Sequence, residues 1–238
     1  MFGIFACALA VWAAEPAQKS VPIRWSHYAE ARKGYWDVSA RYPVFGGHST
    51  VMALANADFG HWARSSATEF VKQAKADLLP PGGHKPDRGY YAFDLTTEVV
   101  YASSTLISLK ATLYLDTLGA HPNTVFFEAN YGLVHGKAKK LKLAELFGAG
   151  ADGRGQVSAI VIPMLKGKGA VEAQRPDFAL GPMIEQWTIE PDGLRYWFSP
   201  YDVSFYAAGP FTAKVKFSSL KELDLTGPLA ELVRSKGL

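Results

Sequence analysis

The side chains in this sequence best suited to chemistry are its six histidines, at positions 27, 48, 61, 84, 121 and 135, and they are scattered. No H-E-x-x-H pattern or close acidic cluster accompanies them, so no metal site is written in the spacing. His121 is the strongest candidate of the six. A general acid–base role needs a carboxylate within reach, and the spacing supplies none. His121, Pro122 and Asn123 also make a tight turn, with proline fixing φ and asparagine bonding backbone. His121 and Asn123 therefore either contact a ligand or shape a turn.

Tyr201 and Tyr206 frame a second candidate segment. Their hydroxyls either tie down loop backbone or face a ligand, since a buried phenol oxygen normally finds a partner. Asp202, between them, caps or pairs locally and has no companion that would make it a nucleophile or metal ligand. Gly47-His48-Ser49-Thr50 lacks the G-x-S-x-G elbow of hydrolases. Gly148, Gly150, Gly153 and Gly155 match neither the dinucleotide nor the Walker spacing. No catalytic residue and no cofactor follows from these motifs. Trp25, Tyr28, Tyr35 and Trp36 form a dense aromatic group outside any strong period, as in protein hot spots or sugar-stacking faces.

The elements that must position these residues read as α+β, with antiparallel sheet packed against one long helix and several short ones. Residues 34–44 are extended. Ser49 or Thr50 then caps a helix whose apolar face runs through Val51, Ala55, Phe59, Trp62, Phe70, Ala74 and Leu78. Leu79-Pro80-Pro81-Gly82-Gly83 ends it. Tyr91, Phe93, Leu95, Val99 and Tyr101 mark a strand. Thr105, Ile107, Leu109, Ala111, Leu113 and Leu115 alternate with Ser108, Lys110, Thr112, Tyr114 and Asp116, the cleanest period-two pattern in the chain. Val125, Phe127, Ala129 and Tyr131 mark the next strand, and the lysines of residues 137–142 suit a solvated edge.

Further on, a helix is expected over 156–165, limited by Pro163, then an irregular connector over 166–184. Trp187–Ile189 and Leu194–Phe198 flank a hairpin turn at Pro191-Asp192-Gly193. A strand through Ala213, Val215 and Phe217 follows. Ser219-x-x-Glu222 reads as a capping box, and Pro228 as the start of a final helix.

Two segments carry more than periodicity. One is Leu118-Gly119-Ala120-His121-Pro122-Asn123, followed by Tyr131-Gly132, Gly136, Leu141, Leu143 and Leu146-Phe147. The other is Asp192-Gly193-Leu194, Phe198, Pro200-Tyr201-Asp202 and Tyr206-Ala207-Ala208-Gly209, ahead of Ser219-Leu220-Lys221. Together they resemble the RsiV-like family of exported bacterial domains of unknown function, which includes the extracellular part of a lysozyme-sensing anti-sigma factor. Arg41-Tyr42-Pro43 and the helix containing Asn56 resemble an N-terminal module that also accompanies a peptidoglycan deacetylase. The likeness spans most of residues 36–223. It implies an envelope location and binding of a lysozyme-like muramidase or a peptidoglycan fragment, with His121, Asn123, Tyr201, Asp202 and Tyr206 near the ligand. It divides the chain into an N-terminal module (20–118) and a C-terminal domain (119–238), packed as one unit.

The composition agrees with a folded, exported protein. The chain has 238 residues, 48% hydrophobic and 20% charged, with a formal charge of +3. These values sit in the ordinary globular range, well away from disorder, and no basic stripe suggests nucleic acid. Met1–Ala14 has the apolar run and small-residue end of a signal peptide, with 1–13 removed, although no basic n-region precedes it. That run is too short to span a bilayer, which takes ~20 residues. Cys7, the one cysteine, lies in a faint lipoprotein-like box. A lipid anchor there is the alternative to a soluble periplasmic or secreted protein. The function expected is binding, and the alternative is an envelope hydrolase of cell-wall glycan with an unrecognised site.

Overall fold

The computed structural model describes residues 21–80 and 85–232. The expected signal segment, Cys7, His84 and the helix-ending Pro81-Gly82-Gly83 lie outside the described residues. The architecture is α+β. A six-stranded sheet is ordered β1 (Ile23–Arg32), β2 (Trp36–Phe45), β3 (Tyr91–Ala102), β4 (Leu106–Asp116), β5 (Asn123–Val134) and β6 (Lys137–Lys140). A three-stranded sheet follows, of β7 (Trp187–Glu190), β8 (Gly193–Phe198) and β9 (Phe211–Lys216). Residue 118 lies in the turn between β4 and β5, which pair from Leu106↔Gly132 to Leu115↔Asn123, so the larger sheet has strands on both sides of it.

The sheet is mixed where the sequence suggested antiparallel pairing throughout. β2 and β3 are parallel because the long helix α1 (Thr50–Leu78) carries the chain back along the sheet between them. Ser49 caps α1, its hydroxyl accepting from the Val51 N–H at 3.1 Å. Asn56 exchanges two 2.8 Å bonds with the backbone of Phe45, fixing the helix start to the end of β2. The buried stripe runs through Val51, Ala55, Phe59, Ala63, Ala67, Val71 and Ala74. Its alanines let the helix lie close on Val38, Ala40, Leu95, Leu109 and Ala111. Trp62 and Phe70 flank this stripe half-buried, against Phe127 and Phe93 respectively.

β1 escaped the sequence reading. It is an edge strand with neither face buried, so it carries no apolar alternation. The aromatic group expected to form an exposed face is divided by it. Trp36 is a core residue at 4% exposure, while Trp25 is 41% exposed beneath the guanidinium of Arg41, 3.8 Å away. β strands impose this split, because successive residues point to opposite faces.

A second core joins α2 (Gly153–Gly167) to β7–β9, with Val157, Val161, Leu165, Trp187, Tyr196 and Phe198 buried together. α2 is longer than expected and continues past Pro163. The helix read from Ser219-x-x-Glu222 does not form. Glu222 has φ 58°, its carbonyl accepts from Gly148 N–H at 2.8 Å, and Leu223 bridges Phe147. Long-range backbone pairing therefore outcompetes the local capping signal. Helix resumes at residues 230–232, after Pro228.

The two cores meet on β4, whose Leu106 belongs to one and Ile107 to the other. β6 pairs only with Tyr131–Val134. The first half of β5 is thus an open edge, and the segment after β8 covers it. No helix among the described residues is long and apolar enough to cross a membrane.

Candidate functional site

The turn between β4 and β5 and the loop after β8 converge although eighty residues separate them. His121 and Tyr206 stack with ring centres 3.9 Å apart and planes 24° apart. Tyr201 lies 5.5 Å from Tyr206 and 6.1 Å from His121, centre to centre. Hydrogen bonds fix this group. His121 Nδ1 is 2.8 Å from the Pro122 carbonyl, which can only accept, so that nitrogen carries the proton. In the neutral ring Nε2 is then the acceptor for the Tyr201 hydroxyl at 3.0 Å. Tyr206 donates to the same Pro122 carbonyl at 2.8 Å.

Both imidazole nitrogens are therefore committed, neither to a carboxylate. That arrangement is a rigid aromatic shelf without an acid–base relay. Tyr201, in the shelf, is 56% exposed, and Phe205, next to Tyr206 in the chain, is 59% exposed. Tyr201 holds φ 75°, a left-handed backbone that costs a non-glycine residue about 1–2 kcal/mol.

Asp202 turns inward from this shelf. It accepts from the Ser199 N–H at 2.7 Å, and burial raises its pKa against that bond and one from Gln186. Ser199 in turn accepts from the Phe126 N–H at 2.9 Å, closing the open edge of β5. Asn123, at the start of β5, has its buried Oδ1 unpartnered and is bonded to none of the three shelf rings. Of the five residues singled out by sequence, the fold groups His121, Tyr201 and Tyr206. Asp202 sits behind them.

Behind the shelf lies a group the sequence reading missed. Glu128 and Lys110 are cross-strand partners on β5 and β4. The Lys110 ammonium lies 4.0 Å from the Trp197 ring centre and 4.7 Å from that of Phe126. One Glu128 carboxylate oxygen is fully buried without a partner. Burial pushes the Glu128 pKa up to about 8, with Asp202 adding to the rise and Lys110 opposing it. Glu128 is thus a neutral acid near neutrality, which removes the cost of an unpaired buried charge. The polar phase of the β4 and β5 alternation contained both residues, but period alone cannot show that a second sheet covers them. Among the described residues no three His, Cys, Asp or Glu side chains gather closely enough to hold a metal ion.

The fold and site define an α+β protein with an exposed aromatic shelf on the seam between two sheets. Residues 144–218 match a family model described as "Protein of unknown function (DUF3298)". This stretch holds Tyr201, Asp202 and Tyr206, while His121 and Asn123 precede it. The fold is similar to the crystal structure of a DUF3298 family protein from Pseudomonas aeruginosa PAO1. That likeness has a TM-score of 0.56 at 13% identity over 87% of this chain and 95% of the other. A DUF3298 family member from Bacteroides fragilis NCTC 9343 aligns at TM-score 0.49 and 15% identity, over 87% of this chain and 94% of its own. No curated protein sequence matches significantly.

Proposed function

We propose that this chain is an exported, RsiV-like envelope binding protein whose ligand docks on the shelf of His121, Tyr201 and Phe205. The ligand is the glycan of peptidoglycan or the lysozyme-like muramidase that reads that glycan. One observation carries the reading: two aromatic rings more than half exposed, on a loop pinned by His121 and Tyr206 and kept in a strained backbone at Tyr201. Exposed aromatics cost free energy in water, and strain persists where surrounding bonds over-determine it. Ring faces of this kind stack on sugars or anchor protein interfaces. Calorimetric titration of the chain with soluble muropeptides and with c-, g- and i-type lysozymes tests it. Saturable binding to one of these, lost in Tyr201→Ala and Phe205→Ala variants that remain folded, is the expected result. No heat with any of them sinks the reading.

The second reading is an envelope hydrolase, favoured by the two raised carboxylates at Glu128 and Asp202. One oxygen of Glu128 is enclosed without a partner, and neither imidazole nitrogen of the shelf faces a carboxylate, which places this reading behind the first. Muropeptide cleavage that disappears in Glu128→Gln would reverse that order.

A further inference from the structure

The larger sheet ends in two unlike edges. β6 has four residues, three of them lysine, which blunts further pairing. β1 has ten, pairs with β2 without a bulge from Ile23↔Phe45 to Arg32↔Trp36, and has no strand on its other side. The Pro22 carbonyl accepts from the Gly46 N–H at 2.8 Å, in register with that pairing. Backbone direction alternates along an antiparallel strand, so even-numbered residues of β1 bond to β2 and odd-numbered ones face outward. Among the described residues nothing bonds the outward N–H and C=O groups of Ile23, Trp25, His27, Ala29 and Ala31.

The side chains of β1 match those of a second β1. Even-numbered ones lie on the α1 side, where Glu30 meets Lys75 at 2.8 Å and the Tyr28 hydroxyl at 3.0 Å. Arg24, on that side by the same alternation, makes no ion pair among the described residues. Odd-numbered ones lie on the other face, with Ile23 and Trp25 36% and 41% exposed. Laid antiparallel on itself about a twofold axis at His27, β1 sets Arg24 opposite Glu30, Trp25 opposite Ala29 and Ile23 opposite Ala31. Opposite charges then meet on one face, and large side chains meet small ones on the other. Centring on Tyr28 instead puts Arg24 against Arg32, and centring on Ser26 puts Glu30 against Pro22. Centring between two residues sets outward groups against inward ones and makes no ladder.

We infer that this chain forms a twofold homodimer in which β1 pairs antiparallel with β1 of a second copy, centred on His27, joining the two six-stranded sheets into one. Each of the five outward-facing residues exchanges N–H and C=O bonds with the residue opposite it. Main-chain bonds hold such an added strand and side chains set its register. The contact uses the same patch on both copies, so it closes at two. It involves neither the shelf at Tyr201 nor the ligand proposed there.

Sedimentation equilibrium of the whole chain, with hydrogen exchange read amide by amide, tests this. The expected result is a monomer–dimer equilibrium in which the amides of Trp25, His27 and Ala29 gain protection as the dimer forms. Ala29→Pro removes an outward N–H, spares the bonds to β2, and should give a folded monomer. Arg24→Glu, a surface change, turns both cross-copy attractions into repulsions. It should weaken dimerisation roughly tenfold at low ionic strength. Tyr201→Ala should leave the dimer as tight as the parent's. A parent chain still monomeric at about 100 µM overturns the inference. So does a dimer that survives Ala29→Pro, that is indifferent to Arg24→Glu, that forms without protecting the odd-numbered amides, or that Tyr201→Ala dissolves.

Discussion

The Tyr206 hydroxyl donates to the Pro122 carbonyl at 2.8 Å, and this bond joins a turn of the larger sheet to a loop of the smaller one. His121 uses the second lone pair of the same carbonyl. Tyr206→Phe removes one bond and keeps the stacked ring. It should lower stability by about 1 kcal/mol, a fall of roughly 2–4 °C in Tm for a chain of this size. Tyr206→Ala also loses the stack and should fall further. Differential scanning calorimetry of the two variants separates bond from ring: equal losses would show that the stacked ring contributes nothing, and an unchanged Tyr206→Phe that the hydroxyl contributes nothing.

Tyr201 should separate stability from binding. Glycine adopts φ 75° without a steric penalty, but its unfolded chain is also freer. Tyr201→Gly should therefore stay within about 1 kcal/mol of the parent in urea unfolding. Under the proposed function the same variant should lose ligand binding. A variant that binds normally would remove Tyr201 from the site.

The seam itself rests on Asn130. Ser108 donates to Asn130 Oδ1 at 2.6 Å, and Asn130 Nδ2 donates to the Trp187 carbonyl at 2.7 Å. Ser108 also accepts from the Ile189 N–H at 2.8 Å, so this buried chain is satisfied end to end. Asn130→Ala strands the Trp187 carbonyl and the Ser108 hydroxyl and leaves a small void. The expected cost is about 2–4 kcal/mol. Hydrogen exchange should show β7 losing protection before β2, which would locate the damage at the seam.

Glu128 gives the fold a pH dependence whose sign is fixed. Its folded pKa of about 8 exceeds the ordinary carboxylate value of 4.5. Between those values the folded chain holds the proton that the unfolded chain releases. The stabilisation is complete below pH 4.5, declines as pH rises, and is gone above pH 8. Asp202 is raised by burial and acts in the same direction. Glu128→Gln should therefore raise stability at pH 8, by on the order of a few kcal/mol. It should change little at pH 4.5 and flatten the slope between. Denaturant midpoints measured at several pH values check this, and parallel curves for parent and variant would contradict it.

Much of the fold was legible in the chain. The alternation from Thr105 to Asp116 marked β4, and Ser49 and the step of four through Val51, Ala55 and Phe59 marked α1. α1 buries one apolar face against the sheet, and β4 turns its apolar face to α1 and its polar face to the second sheet, so each carries a period. β1 was not legible, since no residue of this edge strand is fully buried and Tyr28 alone in it packs on the core, too little to set a period. The capping box at Ser219 misled because residues 222 and 223 are claimed by Gly148 and Phe147.

The candidate site divides the same way. Residue type, spacing and the family resemblance marked the His121 turn and the Tyr201–Tyr206 loop, but the backbone bond expected of Asn123 is not made: it opens β5 with its Oδ1 unpartnered. Only the tertiary structure decided that these two loops touch, that Tyr201 faces water while Asp202 faces inward, and that Glu128 keeps its proton. The reason is physical. Local sequence sets backbone preference and the face on which a side chain emerges. Burial, charge and hydrogen-bond partners depend on which other surface arrives there, and here that surface belongs to a second sheet that begins over fifty residues after β5 ends.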